Sequence, residues 1–241
     1  MRGGLRRLSD ALFPGHAAEY GTLPTLLIVL TVTTGLVDAV TFLGLNRVFV
    51  ANMTGNVVFL GFALAGDPQL SRWAPPLAVA AFTAGAWSAG RFAGWVRDMR
   101  RGFTALTAAH AVLVAGALAV AQVAGHRETA AQAALIGLLG YGMGLQNAAA
   151  LRLGVPDLVM TTVLTTILTR LATDRPGRAA MRRSVTLGAL FTGAVTGAVL
   201  YRHAGPAPVL AAVTALLAIV AFASRPPARR PETRASFPDD Q

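Results

Sequence analysis

Eight apolar segments, separated by short polar gaps, determine what this chain can fold into. They cover approximately residues 24–45, 52–66, 74–96, 103–124, 130–151, 157–171, 184–202 and 207–223. A helix needs about 20 apolar residues to cross the hydrocarbon core of a bilayer, and most of the segments approach that length. The sequence therefore predicts an all-α, polytopic membrane protein.

The composition supports a chain whose main solvent is lipid. Charged residues make up 13% of the sequence and hydrophobic residues 54%, whereas about a quarter of a soluble domain is charged. The net charge of +10 does not indicate nucleic-acid binding, because the arginines lie in the gaps between apolar segments and form no basic face. The predicted partner is the lipid bilayer.

The second and sixth segments are too short to be ordinary spans. Each has about 15 residues and is rich in Thr, Asn and Gly, which is typical of re-entrant or half-length helices. If both return to the side they entered, more arginines lie on the cytoplasmic side than if all eight segments cross. We therefore expect six full spans in a bacterial cytoplasmic (inner) membrane, with both termini cytoplasmic.

The chain has a weak internal repeat. A shift of 107 residues places Gly35 on Gly142 and Val48 on Val155, and it carries the third segment onto the seventh. With three full spans per half, the halves would have opposite orientation, as in many transporters. We expect a cytoplasmic segment (1–22), a single transmembrane domain (23–223, with halves at about 24–124 and 130–223) and a disordered cytoplasmic tail (224–241).

Asp38 is the ionisable residue that most indicates function. It lies well inside the first apolar segment, where a charge costs at least a few kcal/mol on insertion scales, so such acids usually face a cavity, an ion or a partner. The functional hypothesis is a proton or cation site, with Asn52, Thr54 and Asn56 as the expected partners. The alternative is a neutral carboxyl, or one that caps the nearby half-helix.

Each half contains a break before its short segment. In the first half, a helix is expected to start near Asn52 and to contain Gly55; in the second, it starts at 156–157, before Thr161 and Thr162. Such a break leaves free N–H groups at bilayer depth that can hold a polar or anionic ligand. These Asn and Thr residues could equally join helices by hydrogen bonds.

Gln146 and Asn147, near the end of the fifth segment, could be the uncharged counterparts of Asp38 in the second half. Interhelical hydrogen bonding is the alternative for both. His110, within the fourth segment, is expected to pack or to hydrogen-bond, with a role as a proton relay as the alternative. Arg91 is expected to extend to the membrane surface, with pairing to Asp38 as the alternative.

The sequence indicates no enzyme. It has no Walker A loop, HExxH motif, nucleophile elbow or dinucleotide fingerprint. Cysteine is absent, and the four histidines show no metal-ligand spacing. We predict no cofactor and no metal.

The run Gly-Leu-Val-Asp-Ala (35–39), followed by Phe-Val-Ala-Asn-Met-Thr-Gly-Asn (49–56), resembles the signature of the YoaK-like bacterial membrane proteins. The resemblance extends over about 23–223 and includes the positions 146–147 and 160–162. It implies about six transmembrane helices and an inner-membrane location, in a family catalogued by a domain of unknown function.

These observations lead to a functional hypothesis. The chain is expected to be a small secondary transporter or permease for a small polar or ionic solute, with proton or cation coupling at Asp38. The alternative is a non-transporting membrane scaffold or assembly partner, and a homo-oligomer is compatible with either.

Overall fold

The computed structural model describes residues 21–96, 98–155 and 164–225, together with Gly4, Arg7, Ser9, Asp10, Leu12 and Phe13. From residue 21 onward the described chain is helical, which confirms the all-α prediction. Its helices are α1 (Leu23–Gly44), α2 (Met53–Leu64), α3 (Ala74–Trp95), α4 (Met99–Val123), α5 (Thr129–Leu153), α6 (Leu164–Thr173), α7 (Arg178–Ala204) and α8 (Pro206–Ala223).

Five of the described helices, α1, α4, α5, α7 and α8, are long and apolar enough to cross a membrane. Helix α3 has 22 residues, or about 33 Å at 1.5 Å per residue, but it is less apolar and is not among the five. Helix α2 has only 12 residues, as its sequence predicts. The described helices thus supply five of the six expected spans, and a sixth span at α3 stays a prediction.

Helices α1 and α7 cross in backbone contact through glycine. Gly35 lies against the backbone of α7 between Leu190 and Ala194, and Gly193 lies against the backbone of Val32. A methyl group at either glycine would collide with main-chain atoms. Small residues permit this approach in a bilayer, where lipid removes the hydrophobic drive for helix association.

Helices α3 and α5 cross in the same way. Gly144 lies against the backbone of Phe82 and Ala86, and Gly85 lies against the backbone of Tyr141. Further along the first pair, Gly44 of α1 lies against Tyr201 of α7, and earlier along the second pair, Gly140 of α5 lies against Ala78 and Ala81 of α3. Residue numbers therefore rise together on both helices of each crossing, so each pair is parallel. Because α1 and α3 belong to the first half and α5 and α7 to the second, each half packs mainly on the other.

The glycine contacts correct the register of the repeat. Gly35 corresponds to Gly144, a shift of 109 residues, and the predicted match to Gly142 was wrong for this helix. The expected match of Val48 to Val155 is compatible with the structure, since both are fully buried just after the helix ends. After α1 the chain reverses through Asn46 and Arg47, both with positive φ. After α5, Gly154 is the described residue with positive φ. The stretch from the end of α1 to Val48 is therefore longer than the stretch from the end of α5 to Val155.

The two halves have opposite orientation. Gln146 on α5 donates from Nε2 to the backbone oxygen of Leu30 on α1 at 3.4 Å, while Gln132 near the start of α5 accepts from Asn46, just after α1. Residue numbers fall on one helix as they rise on the other, so α1 and α5 are antiparallel. This antiparallel arrangement is the one that the predicted inverted repeat requires.

The helix directions also show that α2 does not cross the bundle. Helix α3 is parallel to α5 and hence antiparallel to α1, so it begins on the side where α1 ends. The chain between them must return to that side, as a re-entrant segment does. By the same argument, α7 begins on the side where α5 ends.

Not every glycine of the helices lies at a packing surface. Gly140 and Gly197 meet neighbouring helices, but Gly90 and Gly94 have no atom of another described element near the position of a Cβ. The spacing of small residues alone therefore does not show which face of a helix meets protein.

Candidate functional site

The candidate site lies at the break between α1 and α2. After the reversal at Asn46 and Arg47, residues 48–51 run without helical structure before α2 begins at Met53. We call residues 48–51 the return segment. Val48, Val50 and Ala51 are at most 4% exposed, so the backbone polar groups of this segment need partners within the protein.

Asp38 supplies two of these partners. Its Oδ1 accepts hydrogen bonds from the backbone N–H of Val50 at 3.1 Å and of Ala51 at 3.0 Å. The prediction that Asn52, Thr54 and Asn56 are the partners of Asp38 was therefore wrong. Asn56 instead bonds to Phe49 of the same segment. Backbone N–H groups outside a helix have no i−4 carbonyl to bond, and the carboxylate takes that role.

Asn56 holds the return segment from the other side. Its Oδ1 accepts from the backbone N–H of Phe49 at 2.9 Å, and its Nδ2 donates to the backbone oxygen of Phe49 at 2.6 Å. The side chain is fully buried. Two polar side chains, one from α1 and one from α2, thus satisfy the backbone of a non-helical segment inside an apolar bundle.

Three aromatic rings cover the same segment. Phe49 stacks on Phe42 of α1 with ring centroids 5.1 Å apart, and on Phe59 of α2 at 5.9 Å. Stacked rings at these distances contribute beyond their buried area. They join α1 and α2 through Phe49 of the return segment, and no sequence pattern marked them as partners.

The other predicted residues of the first half lie outside this network. Asn52 occupies the N-cap position of α2, as predicted, but its side chain makes no capping hydrogen bond. Asn52 and Thr54 are exposed on the surface of the bundle. Gly55 lies against the Phe49 ring, 3.0 Å from where its Cβ would be. Arg91 packs over the Trp87 ring and does not pair with Asp38.

Helix α5, the counterpart of α1 in the second half, repeats its glycine contact but not its charge. With the shift of 109 residues, Gly-Leu-Val-Asp-Ala (35–39) corresponds to Gly-Leu-Gln-Asn-Ala (144–148). Asn147 therefore occupies the position of Asp38, and Gln146 that of Val37. Thr161 and Thr162 lie outside the described residues, so their predicted ligand contacts stay a prediction.

Gln146 is buried and acts within the bundle. Besides its bond to Leu30, its Nε2 donates to Oγ1 of Thr34 at 3.3 Å. Thr34 lies one helical turn before Asp38 on α1, and the sequence analysis missed it because threonine is common in apolar helices. The amide of Gln146 thus joins the second half to the helix that carries the acid.

Comparison with known proteins identifies the family. Residues 26–223 match the family described as Protein of unknown function (DUF1275). The chain is also 33% identical over 154 residues to the UPF0700 transmembrane protein YoaK of Bacillus subtilis (strain 168), covering 64% of this chain and 68% of that protein. No solved structure matches the chain. The protein therefore belongs to the DUF1275 family of membrane proteins, as the Gly-x-x-Asp-Ala and Asn-Met-Thr-Gly-Asn pieces at its helix break predict.

Proposed function

We propose that this protein is a small secondary transporter for a polar or ionic solute, with a proton or another cation bound at Asp38. The observation that carries the proposal is the pair of hydrogen bonds from Val50 and Ala51 to the Asp38 carboxylate. These bonds connect the charge of one intramembrane acid to the position of a non-helical segment.

The coupling follows from the strength of these two bonds. A hydrogen bond to a carboxylate is about twice as strong as one between neutral groups. Binding of a proton or cation to Asp38 offsets the cost of its charge in the membrane but weakens its hold on the return segment. The charge state of Asp38 and the position of the segment that follows α1 would then change together.

The start of α2 is the proposed solute site. The first N–H groups of a helix lack intrahelical partners and form the positive end of its dipole. In transporters with inverted repeats, such ends face anionic groups of the substrate. Asn52, Thr54 and Gly55 lie at this end of α2, and we propose Asn147, Thr161 and Thr162 for the equivalent end in the second half.

Transport can be tested with purified protein in liposomes on a solid-supported membrane. Concentration jumps of small carboxylates, amino acids and nucleobases serve as probes, and at least one of them should give a current that empty liposomes lack. The Asp38→Asn variant should lose the proton dependence of that current, whereas Asp67→Asn, in an exposed loop, should retain it. An unchanged current in Asp38→Asn removes Asp38 from the mechanism, and no current with any probe contradicts transport.

A scaffold is the second candidate function, and the same geometry favours it, because two backbone hydrogen bonds are a structural use of a carboxylate. It predicts that Asp38→Asn lowers the melting temperature and that no probe is transported. In either case we propose the bacterial cytoplasmic membrane as the location, with both termini cytoplasmic, and a homo-oligomer as a compatible assembly.

A further inference from the structure

His110 lies at the centre of the bundle without a hydrogen-bond partner. It is in the middle of α4, its side chain is fully buried, and neither ring nitrogen has a partner among the described residues. Two neighbouring acceptors share this property in the described chain: Oγ1 of Thr107, one turn earlier on α4, and Oε1 of Gln146. In a hydrocarbon environment a polar group without a hydrogen-bond partner is costly, so three such side chains close together need an explanation.

The packing around the ring leaves no room for a solute. The imidazole lies on the backbone of α5 at Gly142, with Nε2 2.9 Å from where a Cβ of that glycine would be. The amide of Gln146, one turn further along α5, faces the ring and interacts with it, although no atom pair between them has full hydrogen-bond geometry. A ligand of His110 must therefore have almost no volume.

Polar side chains lie between this histidine and the helix that carries Asp38. Gln146 donates to Thr34 on α1, and Thr34 is one turn from Asp38 on the same helix. Helices α4 and α1 are parallel. Thr107 therefore lies closer than His110, and Thr34 closer than Asp38, to the side where α1 begins. Thr107, Gln146 and Thr34 thus place polar side chains of three helices between His110 and the level of Asp38.

The helices around His110 carry few other charges. Helix α8 has no ionisable residue, and Asp38 is the only one in α1. In α5, Tyr141 is hydrogen-bonded to Ser88 of α3 and Arg152 lies in the last turn. In α3, Arg91 packs over Trp87, and the arginines of α4 lie in its first turn. No fixed charge of these helices neutralises a charge at His110.

We propose that His110, with Gln146 and Thr107, forms a second proton-binding site, separate from Asp38. A proton needs no cavity, and the ring nitrogen that carries no hydrogen accepts it with its lone pair. The ring becomes an imidazolium whose two N–H groups then have acceptors nearby, in Gln146 Oε1 and Thr107 Oγ1. Release of the same proton returns the neutral ring. The proposal rests on the proposed function, because it names the proton as the coupling ion.

Nitrogen-15 NMR of the imidazole in liposomes tests this directly, since it reports the protonation of each ring nitrogen. A variant with His16, His126 and His203 replaced by Gln leaves His110 as the only histidine of the chain and does not alter the site. Between about pH 4 and pH 8, we expect the ring to change reversibly from imidazolium to a neutral tautomer. Gln146→Leu, which removes an acceptor, should move the midpoint by about one pH unit, the equivalent of one hydrogen bond.

A ring that stays in one neutral tautomer throughout this range would overturn the proposal. So would a midpoint that Gln146→Leu leaves in place, because the ring would then titrate independently of its neighbours. The NMR readout does not depend on transport. A titrating His110 without transport would reject the proposed function alone, and transport with a non-titrating His110 would reject only the second proton site.

Discussion

The two halves of this protein share a scaffold and differ in their ionisable groups. Each contributes a helix that crosses a helix of the other half through paired glycines, Gly35 with Gly193 and Gly144 with Gly85. At the equivalent positions after these crossings, the first half has Asp38 and the second has Asn147. The difference teaches that the two halves share their helix packing, whereas the departures from the repeat determine where the interior has an acid and where it has a neutral amide.

The same contrast holds at the centre of the bundle. Thr34 and His110 belong to the first half, and the second half has Met143 at the position of Thr34. Helix α8, the counterpart of α4, has Thr214 as its one polar side chain. Among the described residues, the first half thus has a buried acid and a buried histidine in its helices. The second half has the neutral amides of Gln146 and Asn147 at the corresponding level, and its buried Arg183 lies near the start of α7, paired with Asp174.

The largest expected effect concerns the inverted topology itself. Because the chain has no cysteine, single cysteines at the exposed positions Asp67 and Arg175 can be labelled with a reagent that does not cross membranes. If α2 and the segment before α7 return to the side they left, the two cysteines lie on opposite sides. Labelling of both from the same side would show that the short helices cross, and the halves would then be parallel repeats.

The next effect concerns the glycine crossings. Gly144→Ala should lower the free energy of unfolding by about 2–3 kcal/mol, because the new methyl group meets backbone that cannot move aside. Gly90→Ala should raise it by up to about 1 kcal/mol, because that position is open and alanine is the better helix former. Unfolding in mixed detergent micelles measures both, and equal signs would show that the crossing is not tightly packed.

A reciprocal exchange between the halves tests their difference in charge. Asn147→Asp places a second acid at membrane depth and should cost about 2–3 kcal/mol of stability. Asp38→Asn retains an oxygen acceptor for Val50 and Ala51 but without charge, and it should cost about 1 kcal/mol. Thermal unfolding compares the two variants. If Asn147→Asp is the milder change, the second half already accommodates a charge and the halves are chemically equivalent.

The smallest expected effect separates two asparagines of one half. Asn56→Ala removes both hydrogen bonds to Phe49 and should cost about 1–2 kcal/mol, whereas Asn52→Ala should change stability by less than about 0.5 kcal/mol. The modification rate of a cysteine at the buried Ala51 should rise in the Asn56→Ala background only. A similar rise with Asn52→Ala would show that Asn52 also holds the return segment.

The sequence predicted the features that depend on segment length and polarity. Apolar length gave the all-α membrane fold and the short second helix, because lipid requires internal hydrogen bonding of the backbone. The start of α2 after Asn52 followed from the preference of asparagine for N-cap positions. The importance of Asp38 followed from the cost of its charge.

The sequence could not predict which atoms meet. The partners of Asp38 are backbone groups of Val50 and Ala51, and any residue type at those positions would supply the same N–H. The register of the repeat was displaced by two residues in the first helix of each half because the connections differ in length. The lack of hydrogen bonds at the His110 ring depends on how α5 packs against it at Gly142, and the sequence does not specify that packing.

The exchange of helix partners between the halves has a consequence for biosynthesis and for ancestry. Helix α1 leaves the ribosome long before its main partner α7, so its crossing glycines stay unpaired until most of the chain has been inserted. A chain of half this length could make the same contacts only as two copies inserted in opposite directions. An unduplicated ancestor with this packing would therefore have had dual topology.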